Sequence, residues 1–91
     1  MTDDIYAIVI AQAEAAKRGA LSMWTVYERP TDYACGFVAR RFEVSGKGPT
    51  PTQMTLKCLE LEPIRDKLGR AGLVRLDRNP EDEPQIVETW L

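Results

Sequence analysis

The sequence predicts an α+β domain: a mainly antiparallel sheet of four to five strands with two helices, in the order α-β-β-β-α-β-β. Three observations carry this expectation. Apolar residues recur at helical spacing near the start of the chain and again after Pro63. The segments between and beyond are rich in aromatic and β-branched residues, bounded by glycine, proline and aspartate. The connections are short, which favours antiparallel neighbours with the helices packed on one side of the sheet.

Residues 2–18 carry the marks of a helix at both ends. Thr2 suits the N-cap, Asp3 and Asp4 the positive first turn, Lys17 and Arg18 the last turn, and Gly19 the stop. Ile5, Ile8, Val9, Ala13, Ala16 and Ala20 follow a period near 3.6. Tyr6 and Ile10 broaden that stripe beyond one packing surface, so the helix is expected to make contacts on two sides. The chain is therefore read as one domain, 1–91, in which residues 1–20 double as an interface element and residues 22–91 form the α+β core.

Residues 22–28 read as a strand through Trp24, Val26 and Tyr27, followed by a turn over Arg29, Pro30, Thr31 and Asp32; residues 36–44 form the next strand. The glycines and prolines of residues 45–51 predict a loop. Residues 54–62 fit both periods, with strand favoured over helix. Pro63 suits the first turn of a helix that turns Ile64 and Leu68 inward and ends at Gly69 or Gly72. Residues 73–76 and 86–90 supply the last two strands, joined by a polar loop over 79–84.

If the first hairpin pairs Arg29 with Cys35, Val26 falls opposite Val38 and Trp24 opposite Arg40. Arg40 then shares a face with Val38, Phe42 and Val44, the expected core side, and Arg41 lies beside Glu43 on the wetter side. A guanidinium on an apolar face must be paired, stacked on Trp24, or presented at a pocket rim. The structural reading makes Arg40 an internal contact that fixes the sheet. The functional reading makes it an anion- or partner-recognising position framed by Trp24, Tyr27 and Arg41. By the same counting Met54, Leu56 and Cys58 share the face of Val38, Arg40 and Phe42, Cys35 points the other way, and an internal disulfide is not expected.

Composition narrows the function classes. Hydrophobic residues make up 44% and charged residues 29%, as in ordinary soluble domains. The net charge of −2 comes from twelve basic and fourteen acidic side chains spread along the chain, so no bulk attraction to a polyanion follows. The longest apolar stretch, residues 5–16, is too short and too polar to cross a bilayer, and the acidic start does not suit an export signal. A cytoplasmic location is expected. There is no histidine, which removes Ser-His-Asp and Cys-His mechanisms within one chain and, with only Cys35 and Cys58, any common structural zinc site. Gly46-Lys47 lacks the first glycine and the Ser or Thr of a phosphate-binding loop, since Arg41 and Gly48 occupy those positions. The acidic run Glu81-Asp82-Glu83 lacks the alternating spacing of a calcium loop. No catalytic residue, cofactor or metal is expected.

Residues 23–30, 36–44 and 86–91, which read MWTVYERP, GFVARRFEV and IVETWL, resemble a family of small uncharacterised proteobacterial proteins, a domain of unknown function. The resemblance spans residues 22–91 and leaves the first helix outside. It implies a bacterial cytosolic setting and transfers no catalytic residue.

A domain this small buries only about 60–65% of its extended-chain surface, so covering an apolar face with a second copy would add stability. The leading expectation is a non-catalytic interaction module, self-associating as a homodimer, that meets its partner through the first helix or an open sheet edge. The alternative is binding of nucleic acid or an anionic small molecule through Arg40, Arg41, Trp24 and Tyr27, against which the acidic balance counts for nucleic acid.

Overall fold

The computed structural model describes residues 4–29, 36–80 and 83–91. Along them run α1 (Asp4–Lys17), β1 (Leu21–Glu28), β2 (Phe37–Ser45), β3 (Gly48–Cys58), α2 (Leu61–Arg70), β4 (Arg75–Asp77) and β5 (Ile86–Trp90). The strands form one antiparallel sheet in the spatial order β3-β2-β1-β5-β4. This is the α+β class and the element order that the sequence predicts. The N-cap assigned to Thr2 lies outside the described residues.

Both helices stop in the same way. Gly19 donates to the Ala16 carbonyl and Ala20 to that of Ala15; Gly72 donates to Gly69 and Leu73 to Leu68. This crossed pair of bonds satisfies carbonyls that a helix end leaves open, and it needs a positive φ at its turning residue, 94° at Gly72. The turn sends the chain from α2 straight back along the sheet into β4.

Ile8 of α1 and Ile64 and Leu68 of α2 pack with Trp24, Val26, Ala39, Leu56 and Trp90, so both helices lie on one face of the sheet. Each of these aliphatic side chains contributes roughly 2 kcal/mol through burial. Among the described residues no helix lies on the opposite face, termed uncovered for that reason, although Thr25 and Val38 on it are themselves buried.

Three expectations from the sequence are corrected. First, β1 pairs with β2 one residue away from the predicted register: Val26 faces Ala39, Trp24 faces Arg41 and Thr25 faces Arg40. A shift of one residue exchanges the two faces, so Arg41 lies on the helix-covered side and Arg40 on the uncovered side with Val38, Phe42 and Val44. For the same reason Leu56 and Cys58, opposite Ala39 and Phe37, line the covered face. Cys35 lies outside the described residues.

Second, residues 48–51 are strand, and only Gly46 and Lys47 turn. Pro49 and Pro51 are tolerated because β3 is an edge strand and both nitrogens fall on the side directed away from β2. Third, the ambiguous stretch 54–62 divides, strand as far as Cys58 and helix from Leu61. Pro63 sits in the first turn of that helix, as expected.

Candidate functional site

The residues singled out in the sequence, Trp24, Tyr27, Arg40 and Arg41, do not converge. The sheet separates them into two pairs, and each arginine is engaged by its own surroundings.

Arg41 and Trp24 lie on the covered face. Arg41 is 5% exposed and donates from Nε to Ser22 Oγ at 3.0 Å, from Nη1 to Glu43 Oε2 at 3.2 Å, and from Nη2 to the Ala11 carbonyl of α1 at 3.2 Å. Glu43 also accepts two bonds from Arg18, at 2.7 and 2.8 Å. The bond from Arg18 is the main reason Glu43 titrates below the usual carboxylate range, with the Arg41 bond and both positive charges adding to it against burial. The pair therefore fastens the C-terminal half of α1 to β2. Trp24 is fully buried between Arg41 and Trp90 in the sheet, and its indole N–H meets no acceptor among the described residues.

Arg40 and Tyr27 lie on the uncovered face. Residues 52–54 of β3 interrupt the pairing register opposite Arg41, forming an irregularity between Arg40 and Phe42. Arg40 donates from Nη1 to the Thr52 carbonyl at 2.8 Å, and Thr52 Oγ1 donates to the Arg41 carbonyl at 2.8 Å while accepting from the Met54 N–H at 3.2 Å. Arg40 thus supplies a donor where the ladder is broken. Burial, reinforced by the charge of Glu83 and opposed by that of Arg40, pushes the Tyr27 phenol above its ordinary range, so it stays neutral at physiological pH.

A third polar group went unpredicted. Glu88 of β5 is completely buried, yet it accepts bonds from Arg65 Nη2 at 2.8 Å, Arg65 Nε at 3.1 and 3.2 Å, and Trp90 Nε1 at 2.8 Å. Arg75 Nη1 stands 3.7 Å away. Burial by itself raises the carboxyl's proton affinity, but the Arg65 and Trp90 bonds and the charges of Arg65 and Arg75 outweigh it, and Glu88 is held below the usual range. A carboxylate kept ionised this way has no proton to deliver, so its role is to tie α2 to β5. The alternation Ile86, Glu88, Trp90 was the available signal, because it puts a glutamate on the same side as a core tryptophan.

Among the described residues, six of the eight large apolar side chains left exposed fall into two rows, while Leu21 and Leu59 stand apart from both. Tyr6, 65% exposed, continues along α1 with Val9 and Ile10 at helical spacing, outside the strip that buries Ile8 and Ala15. Val74, 64% exposed, lies with Leu76 and Leu91 where β4 meets β5, on the uncovered face. The second row borders a sheet edge. Among the described residues no helix is long and apolar enough to cross a membrane. No protein-family model, no curated protein and no solved structure matches the chain.

Proposed function

We propose that the chain is a non-catalytic interaction module that works as a homodimer. The observation that carries this reading is that most of its exposed large apolar residues, all but Leu21 and Leu59 among those described, gather into two ordered rows, on α1 and at the β4 edge. A helix apolar on both sides gains by being covered twice, and a small domain gains most from an added interface.

The nucleic-acid alternative loses its main support, since Arg41 and Trp24 are enclosed by the core and only Arg40 and Tyr27 remain on the uncovered face. Each arginine is also engaged inside the fold.

Light scattering coupled to size exclusion tests the reading. A particle of twice the 10.3 kDa of one chain is expected at high micromolar concentration. A single-chain mass maintained up to about 300 µM, where even a weak specific dimer would form, overturns it.

A further inference from the structure

We propose that two copies of the chain join edge to edge at β4, around a two-fold axis through Leu76, so that the five strands of each copy continue into one antiparallel sheet. This rests on the self-association reading and names the surface that performs it.

The backbone phase of β4 comes first. Val74 and Leu91 exchange both main-chain hydrogen bonds, at 2.8 and 3.0 Å. Exchanging and non-exchanging pairs alternate along an antiparallel ladder, so with Arg75 opposite Trp90 and Leu76 opposite Thr89, the next exchanging pair is Leu76 with Thr89. The N–H and C=O groups of Arg75 and Asp77 are therefore directed away from β5. That leaves a short row of donors and acceptors along an exposed strand.

The side chains then select the occupant. Antiparallel pairing centred on Leu76 puts Arg75 opposite the second copy's Asp77, and Asp77 opposite its Arg75. These are the two residues whose backbone groups face outward, so each opposition is a hydrogen-bonded pair carrying opposite charges. In the single chain Arg75 Nη1 lies 3.2 Å from Asp77 Oδ1 and both side chains are exposed, with 47% and 89% of their surfaces open. The charge pair is accessible for exchange across an axis. On the other face Leu76 meets its own copy, flanked by Val74 and Leu91, which covers the apolar row at this edge. The same residues thus match themselves in hydrogen-bond phase, in charge and in apolarity. The other edge is less suited, because Pro49 and Pro51 remove two outward donors from β3 and the strand leaves its register over residues 52–54.

A contact this short is of the weak, concentration-dependent kind, so sedimentation velocity should span about 1–300 µM. Asp77→Arg sets like charges across the axis twice and is expected to weaken the dimer at least about tenfold. Asp77→Pro removes an N–H that β5 does not use, and should do the same with β4 and β5 still paired. The exchange Arg75→Asp with Asp77→Arg restores opposite charges and should recover wild-type affinity to within about threefold. Circular dichroism and thermal midpoints establish that each variant is folded; if Arg75→Asp disturbs Glu88, the two Asp77 variants decide the matter.

A wild-type dimer that Asp77→Arg and Asp77→Pro leave as tight as before overturns the β4 assignment while self-association stands. Loss of the dimer in Ile10→Glu alone moves the contact to α1 and overturns it equally. A wild-type chain that stays single throughout overturns both readings.

Discussion

Arg40 and Thr52 are joined by a hydrogen bond of 2.8 Å from the guanidinium Nη1 to the backbone carbonyl, at the point where β3 leaves its register with β2. The side chain that looked in the sequence like an intruder on apolar territory serves as a donor to an interrupted ladder. Its neighbour Arg41, one position along, fills the buried role expected of Arg40.

The two arginines should therefore differ in cost. Arg40→Met loses one bond from a half-buried side chain and should destabilise by about 1 kcal/mol. Arg41→Met leaves Ser22 Oγ and the Ala11 carbonyl without their donor on the covered side and should cost about 3 kcal/mol. Urea unfolding of both variants measures the difference, and equal losses would refute the assignment of faces.

Glu88 sets an acid limit. Its folded proton affinity is lower than its unfolded one, so it adds stability above the unfolded carboxylate range, and that contribution disappears as pH falls through the folded value. Wild-type thermal midpoints should drop on acidification below about pH 4.5. Glu88→Gln, which lowers stability at neutral pH by leaving Arg65 without its buried partner, should show a flatter acid limb. Parallel limbs in the two proteins would contradict this.

Gly36 cannot accept a side chain. A Cβ there would stand 2.6 Å from the Cys58 carbonyl oxygen and 2.8 Å from the Leu59 Cα, and its φ of 96° is one that L residues avoid. Gly36→Ala combines a backbone clash with conformational strain and should cost about 3 kcal/mol or more by denaturant titration. A near-neutral result would mean that the end of β3 can move away.

Much of the fold is legible in the sequence because periodicity and chain-stopping residues are local signals. Pro63, the aromatic strands and the glycines after each helix give the element order, and the aromatic Trp24 and Trp90 of those strands fill the core. The faces of the sheet are not local. They depend on one count across the first hairpin, and with Glu28 opposite Phe37 and Arg29 donating to the Gly36 carbonyl, counting from Arg29 and Cys35 misses by one. Every side chain on β2 is thereby assigned to the wrong face, Arg40 and Arg41 included. The Arg65–Glu88 pair spans 23 positions, and nothing in sequence spacing announces it. The candidate surfaces were half visible: the double-sided stripe of α1 could be read, whereas the phase of β4 could not.

The prolines at 49 and 51 give the sheet two unlike margins. A strip whose far border is short of donors lengthens there less readily, so once two copies combine both ends present the same impoverished rim. Growth past two copies would then meet a poorer ladder at either end, which hinders the route to fibrils that threatens any exposed edge.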